Sequence, residues 1–232
     1  MAAFTVVKKE DLEAQQKEES VQSLRCITSE LGPLTQPDGS AVFTQGDTTA
    51  LAAVYGPADV KISKELIDRA TVEVIYKPKV GLPRPVDRKL ERIIKNTLEA
   101  AIMALNHPRS LISIVIQETE SLGANLACCV NAACMALLDA AVSMNFMVAA
   151  VSAAVTDKGE IILDPVSRVE DEARAVLTFV FDSVDKNIVT VITSGQFSQD
   201  EYKKCLYLTK QACDNVFSFY KDSLSKKLLK SA

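Results

Sequence analysis

Alternating apolar and polar residues mark the first third of the chain as a series of short strands. Four runs of this kind, separated by turn residues, cover residues 24–31, 40–45, 48–55 and 70–76. The dipeptide Gly56-Pro57 is predicted to close the third run. Because closely spaced strands commonly pair with their neighbours in sequence, we expect the four strands to form an antiparallel meander.

A helical period replaces this alternation in the middle of the chain. Apolar residues recur at every third or fourth position from Val86 to Leu105, which predicts an amphipathic helix. Residues 110–117 form a continuous, β-branched apolar run that is typical of a buried strand. Residues 126–141 are apolar on nearly all sides, so we expect a helix that is buried over most of its surface.

The last third of the chain returns to strands and ends in a helix. Residues 146–156 and 160–163 flank a hairpin signal, Asp157-Lys158-Gly159, and two more strands are predicted at 173–181 and 187–193. Ser198 and Glu201 fit a capping box that opens a long helix over residues 199–227.

Grouped strands, rather than strands in strict alternation with helices, favour α+β layering within the α/β class. We therefore expect one domain over residues 23–232, in which mixed sheets pack around buried helices. A polar N-terminal arm, residues 1–22, precedes this domain.

The composition is that of a globular protein, and the net charge limits how the chain could bind nucleic acid. The chain has 232 residues, of which 48% are hydrophobic and 24% are charged, and its net charge is −4. A free-standing electrostatic binder of nucleic acid is normally basic, so a nucleic-acid role here needs a local basic patch or a surface shared with other chains. No apolar window reaches the about 18 residues that indicate a membrane span.

The cysteines and the single histidine offer little chemistry. Six cysteines and one histidine do not supply the paired motifs of a zinc site, so we expect reduced, buried thiols and a reducing compartment, cytosol or nucleus. His107 lies in a turn that ends a helix, where a capping or surface role is favoured over catalysis. The acidic run Glu170-Asp171-Glu172 is favoured as a solvated turn over a metal site.

The loop Ser121–Asn125 joins a predicted buried strand to the start of a predicted buried helix. Free N–H groups and the helix dipole make such a place an anion site in principle. Ala124 and Asn125 add neither a hydroxyl group nor a charge, whereas Asn125 is a good N-cap. Helix capping is therefore the favoured role, and anion binding is the alternative.

Several segments, taken in order, resemble the RNase PH family over about residues 23–225. They are Asp38–Ala41, Gln45–Thr48, Leu51–Pro57, Ala127–Ala140 and Ile161–Pro165. Within this family, the pattern is similar to the branch whose members are ring subunits of the eukaryotic RNA exosome.

The resemblance implies a fold and an assembly. The implied fold is the ribosomal protein S5 domain 2-like arrangement of sheets around helices. The implied partners are other RNase PH-like subunits in a six-membered ring, S1/KH cap subunits and RNA, with no cofactor and no membrane. Homodimer formation by the isolated chain is left open by the sequence. The implied locations are the nucleus, nucleolus and cytoplasm, and the implied process is 3′-to-5′ RNA degradation and processing, including that of ribosomal RNA.

The resemblance also bears on catalysis. Active family members carry Gly-Thr-Arg or a similar triplet before the central helix, and Gly123-Ala124-Asn125 stands in its place here. An aspartate that follows a Glu-Ala pair in active members is matched by Arg174. These residues form a degenerate phosphate site, so we expect a non-catalytic ring subunit. The alternatives are a phosphate-dependent 3′-to-5′ exoribonuclease, active alone or as a homodimer, and a scaffold without RNA contact.

A basic loop supplies the candidates for RNA binding. Lys79, Arg84 and Arg88 concentrate positive charge in a loop broken by Pro and Gly, in an otherwise acidic chain. The matching region of RNase PH relatives resembles an RNA-facing rim. A solvated basic loop or a salt-bridged subunit contact is an equally weighted alternative.

Overall fold

A computed structural model describes residues 24–231 of the chain, so the predicted polar arm, residues 1–22, lies outside the described residues. The strands are β1 (Ile27–Leu31), β2 (Gly39–Gln45), β3 (Thr48–Asp59), β4 (Thr71–Lys77), β5 (Ser110–Glu120), β6 (Val148–Val155), β7 (Ile161–Leu163), β8 (Ala175–Asp182) and β9 (Ile188–Gly195). The α-helices are α1 (Pro85–Ala101), α2 (Asn125–Asp139), α3 (Ser167–Glu172) and α4 (Gln199–Ser231), with short 3₁₀ turns at Ile62–Lys64 and Ala104–Asn106.

The first sheet has the strand order β1-β2-β3-β5-β4. The first three strands pair in antiparallel order, but β5 lies between β3 and β4 and runs parallel to β4. The predicted four-strand meander is therefore wrong at its fourth strand. Helix α1 crosses from β4 to β5, and such a crossover brings the two strands together in parallel.

Two predicted boundaries shift for local reasons. Strand β3 does not stop at Gly56-Pro57, because a register shift between Tyr55 and Ala58 accommodates the dipeptide and pairing with β5 continues to Asp59. Helix α1 ends at Ala101 rather than Leu105, because Ile102 is extended and forms an isolated bridge with Met144.

The second sheet has the order β7-β6-β8-β9, and all its pairs are antiparallel. The predicted hairpin between β6 and β7 is confirmed, with the Thr156 N–H donating to the Glu160 carbonyl oxygen at 3.0 Å. Strand β6 is buried along its whole length. Strand β7 pairs only with the last three residues of β6, and beyond them the fully buried Asn131 side chain of helix α2 bonds both the N–H and the C=O of Ala150.

Helix α2 lies between the two sheets, packing on β2 and β3 of the first and on β6 of the second. Every residue from Ala127 to Leu137 is buried, which confirms the predicted buried helix. One continuous apolar core joins both sheets to α1, α2 and α4. This arrangement confirms the α/β class with mixed sheets around buried helices.

Helix α4 begins with the predicted capping box. The Glu201 N–H donates to the Ser198 Oγ at 3.3 Å, and the Ser198 N–H donates to the Glu201 Oε2 at 2.7 Å. The helix packs on β6 and β8. In residues 24–231, no helix combines the length and apolar character that a membrane crossing needs.

The thiols follow the prediction in five of six cases. Cys128, Cys129, Cys134, Cys205 and Cys213 are buried and free, whereas Cys26 is free but exposed. The prediction of burial is wrong for Cys26 because it lies just ahead of the edge strand β1, where one side of the chain faces solvent. His107 follows the 3₁₀ turn Ala104–Asn106, and its N–H bonds the Ala104 carbonyl oxygen, as expected of a capping residue.

Candidate functional site

The loop between β5 and α2 has a backbone shape that depends on glycine. Gly123 has φ +106°, and a Cβ added there would lie 2.3 Å from the carbonyl oxygen of Pro165. The loop therefore packs backbone against backbone on the segment that precedes helix α3. Only glycine fits both the dihedral angle and the close approach.

Hydrogen bonds fix this loop on both sides. The Thr48 hydroxyl donates to the Gly123 carbonyl oxygen at 2.7 Å and accepts the Leu122 N–H at 3.3 Å. The Ser167 N–H donates to the Leu122 carbonyl oxygen at 3.0 Å. Because Thr48 is fully buried, these contacts hold the loop in one conformation from within the core.

Asn125 is not the N-cap of helix α2, and the prediction of a capping role is wrong. Ala124 takes the N-cap position in the left-handed conformation, with φ 52°, and Asn125 is the first helical residue. The Asn125 Nδ2 donates to the Tyr76 hydroxyl oxygen at 3.1 Å, and its Oδ1 accepts the Cys129 thiol at 3.5 Å. The side chain points across to strand β4 because Tyr76 offers it a buried partner.

Tyr76 links Asn125 to a carboxylate. Its hydroxyl donates to Glu118 of the neighbouring strand β5, and both side chains are buried. Burial, followed by the bond to Glu118, raises the pKa of Tyr76 well above its ordinary value, so the phenol is neutral at physiological pH. The three side chains form a polar network that carries no positive charge.

Glu170 bonds the backbone at the start of α2. Its Oε1 accepts the Ala124 N–H at 2.9 Å. Burial raises the pKa of Glu170, while the bond from Ala124 and the charge of Arg25 act in the opposite direction. The prediction of a solvated acidic turn is therefore wrong for this residue, which belongs to the short helix α3 and contacts the loop.

Two arginines near these segments already have carboxylate partners. Arg25 binds Asp164 through its Nε at 2.8 Å and its Nη2 at 2.7 Å, and the Asp164 side chain is fully buried. The same Nη2 donates to the Gly123 carbonyl oxygen at 3.3 Å. Arg174 pairs with Glu201 at the start of α4. The structure thus brings Gly123, Ala124 and Asn125 together, while Arg174 contacts a different element.

The three candidate RNA-binding residues lie on the surface at the same sheet edge. Strands β4 and β5 are parallel, with Lys77 opposite Gln117, so the loop after β4 and the loop after β5 leave the sheet on the same side. The Gln117 Nε2 donates to the Pro78 carbonyl oxygen at 3.1 Å and ties the first of these loops to β5.

Each of these candidates, Lys79, Arg84 and Arg88, is exposed. The Arg84 side chain is 78% exposed, and its Nε lies 3.7 Å from Oδ2 of the buried Asp87, a long contact that leaves most of the arginine open to solvent. The basic loop and the loop Ser121–Asn125 therefore leave the first sheet on the same side. In the described part of the chain, no group of three or more His, Cys, Asp or Glu residues could hold a metal ion.

Sequence reasoning missed the residues that hold the loop: Arg25, Thr48, Tyr76, Glu118, Asp164 and Glu170. Arg25 and Asp164 are 139 positions apart, and no local pattern links them. Tyr76 and Glu118 come together only because β4 and β5 pair in parallel. A correct strand order could have indicated that contact, because Tyr76 opposes Ile116, two residues from Glu118.

The chain belongs to the RNase PH family of 3′ exoribonucleases. Residues 23–143 match the family's first domain and residues 147–212 match its second. The two matched segments correspond to the first sheet with α1 and α2, and to the second sheet with α3 and the first half of α4.

Relatives with similar sequences are exosome proteins. The chain is 31% identical over 220 residues to "Exosome complex exonuclease RRP46 homolog" of Arabidopsis thaliana, with 88% of this chain and 92% of the relative covered. It is 30% identical over 220 residues to "Exosome complex component RRP46" of Saccharomyces cerevisiae, with 88% and 99% covered.

Solved structures agree on the fold. The crystal structure of rice Rrp46 superposes with a TM-score of 0.85 at 30% identity, covering 88% of this chain and 97% of the rice chain. An Archaeoglobus fulgidus exosome with RNA bound to the active site superposes with a TM-score of 0.76, covering 91% and 96% of the two chains. At 15% identity, this second match supports only the assignment of the fold.

Proposed function

We propose that this chain is a non-catalytic subunit of an RNA exosome ring, and that it contributes to assembly and to the RNA path in 3′-to-5′ RNA processing and degradation, including that of ribosomal RNA. Its partners are other RNase PH-like subunits in a six-membered ring and S1/KH cap subunits. It acts in the nucleus, nucleolus and cytoplasm. Exosome proteins among the relatives, matched over 88% of this chain, support the assignment to an exosome ring.

The chemistry of the loop carries the proposal that the chain is not an enzyme. Phosphorolysis needs a bound phosphate, and cationic donors with hydroxyl groups are what hold a phosphate firmly. Ala124 has no hydroxyl group, and the Asn125 amide is neutral and bonded to Tyr76. Arg25 is already neutralised by the buried Asp164. An incoming phosphate would also lie near the Glu170 carboxyl group, which accepts the Ala124 N–H.

Exposed apolar side chains support the assembly. Three of them, Val80, Leu82 and Val86, are 83%, 89% and 63% exposed and lie within one short segment. Ile62 and Ile67, near the edge strand β4, are also largely exposed. Clusters of this kind on a soluble chain mark surfaces that another protein covers.

An enzyme is the second candidate, because the Arabidopsis relative is named an exonuclease. Activity and assembly are tested separately. For assembly, the endogenous full-length protein is purified by affinity and its partners are identified and quantified by mass spectrometry. We expect RNase PH-like and cap subunits in equal amounts, and a consistently free monomer or homodimer would contradict the proposal.

For activity, the purified chain is incubated with inorganic phosphate and single-stranded RNA, and nucleoside diphosphates are measured. We expect none from the wild-type chain, and none from Asn125→Arg. The arginine would lose the bonds of Asn125 to Tyr76 and Cys129, and Ala124 and Arg174 would remain unchanged. Diphosphate release by the wild-type chain, above that of a variant with Gly123→Val, would establish the enzyme instead.

A further inference from the structure

Residues 77–95 carry a concentration of positive charge that extends beyond the three candidates in the loop. The segment has seven lysine or arginine residues and two acidic residues, a net charge of +5. Because the whole chain has a net charge of −4, the remaining residues together carry −9. This segment is therefore positively charged in a protein whose other residues are net negative.

The two acidic residues of the segment are committed to backbone amides. Asp87 is 4% exposed, and its Oδ2 accepts the Arg84 N–H at 2.7 Å. The Glu91 Oε2 accepts the Tyr76 N–H at 3.1 Å and so faces strand β4. Within residues 24–231, neither carboxylate forms a salt bridge with a cation of helix α1.

Three cations form a row on α1, which we call the α1 stripe: Arg88, Arg92 and Lys95. They are spaced by four and three residues, so they lie on one side of the helix, where Arg88 and Arg92 are exposed and Lys95 is partly exposed. Like charges at this spacing destabilise a helix. In residues 24–231, none of the three forms a salt bridge.

The α1 stripe has a defined direction. Helix α1 begins at the sheet edge where the loops after β4 and β5 lie. From Arg88 to Lys95 the stripe covers about 10 Å of helix axis. Glu99, one turn beyond Lys95, ends the run of positive charge. The stripe thus continues the basic loop of Lys79 and Arg84 away from that edge.

The surroundings favour a polyphosphate ligand over a protein. Protein interfaces have an apolar centre, with aromatic and aliphatic side chains inside a polar rim. Val86, at the start of α1, is 63% exposed and belongs with the exposed Val80 and Leu82 of the preceding loop, but no large apolar side chain from Asp87 to Ala104 is exposed. A row of unpaired cations without an apolar centre matches a nucleic-acid backbone, whose contacts are mainly to phosphate.

We propose that the α1 stripe binds the phosphate backbone of single-stranded RNA and extends the RNA path from the basic loop along helix α1. The proposal rests on the proposed function, which supplies RNA as the ligand. Its contacts are independent of base sequence, because a row of cations reads phosphates and not base edges.

The test compares two full-length variants with the same change in charge. Arg92→Gln with Lys95→Gln removes two cations of the stripe, and Lys203→Gln with Lys204→Gln removes two exposed cations of helix α4. Binding of a fluorescent single-stranded RNA is measured by anisotropy over a range of salt concentrations, for the isolated chain and for the assembled complex. Circular dichroism confirms that both variants are folded.

The stripe variant should reduce the log–log salt slope by about 1.4, at about 0.7 for each lost phosphate contact. With equal affinities at 1 M salt as the reference, this difference in slope over a ten-fold dilution makes the variant bind RNA about 25-fold more weakly than wild type at 0.1 M salt. The control variant should retain the wild-type slope, and uridine-rich and adenine-rich RNA should be affected equally.

Equal slopes for the two variants, or no RNA binding by the wild-type chain in either form, would overturn the inference. Unchanged RNA affinity with a lower yield of complex would also overturn it and would assign the stripe to a protein contact. The proposed function fails differently: it fails when the wild-type chain does not purify with ring subunits. The slopes of the isolated chain still test the stripe in that case.

Discussion

Replacing Ala133 by Leu adds three carbon atoms to the middle of helix α2, where Ala133 has no exposed surface. The helix cannot move aside freely, because Asn131 holds it to strand β6 through two hydrogen bonds to Ala150, at 2.8 and 3.0 Å. Beta sheets pack on it from two sides. Overpacking a core in this way costs about 1–3 kcal/mol of unfolding free energy.

The measurement is urea denaturation followed by circular dichroism, with Ala100→Leu as the control. Ala100 is exposed on helix α1, so the same substitution there should change stability by less than about 0.5 kcal/mol. For a chain of this size, the loss at Ala133 corresponds to about 2–12 °C in Tm. Equal unfolding free energies for the two variants would show that α2 is not close-packed between the sheets, and the packing argument would fail.

Three further predictions use the basic loop, the thiols and Glu170. Replacing Arg84 and Arg88 by Ala in the assembled complex should lower the magnitude of the salt slope for binding single-stranded RNA by about 0.7 per lost phosphate contact. The effect should be similar for all RNA sequences. Unchanged RNA affinity with an altered yield of the ring would instead make the loop a subunit contact. At pH 8, a thiol reagent should label only Cys26 rapidly in the isolated folded chain, because burial raises the pKa of Cys128 and Cys134 to about 12 and that of Cys205 to about 11; a second fast thiol would contradict the burial. Burial raises the folded-state pKa of Glu170, so the neutral side chain is the form that the fold favours. The resulting contribution to stability is fully present below about pH 4.3, the ordinary pKa of Glu, and is lost as the pH rises through the folded-state pKa. Glu170→Gln should therefore gain stability relative to wild type between pH 4 and pH 7, and a constant difference in urea titrations would refute this.

Elements whose signal lies in a few consecutive residues were predictable from the sequence. The capping box of Ser198 and Glu201 and the hairpin at Asp157-Lys158-Gly159 both depend on local backbone geometry, and both are confirmed. Helix α2 was predictable because its composition is apolar all round. Each of these signals is independent of how distant parts of the chain are arranged.

The order of strands in the first sheet was not predictable in the same way. Hydrophobic alternation marks β4 and β5 as strands but does not specify their neighbours. Pairing of sequential strands is the common case, and it holds from β1 to β3. It fails at β4, because helix α1 carries the chain back so that β5 enters between β3 and β4.

In the candidate site, too, local signals were readable from the sequence and tertiary contacts were not. Asn125 has the propensity of an N-cap, but Tyr76 and the Cys129 thiol give its side chain two tertiary partners. Those partners depend on the strand order, so propensity alone gave the wrong role. The Arg25–Asp164 pair depends on contact between segments 139 positions apart, which no period or motif in one sequence records.

The shape of the loop and the chemistry of the loop have separate causes. The shape follows from Gly123, whose missing Cβ lets the loop pack on Pro165, and from Thr48, whose buried hydroxyl group bonds the loop twice. These contacts stabilise the core whether or not a phosphate binds. The chemistry depends on side chains at Ala124 and Asn125, which lack the hydroxyl group and the positive charge. A loop with this backbone is therefore evidence for the fold, and only its side chains are evidence about catalysis.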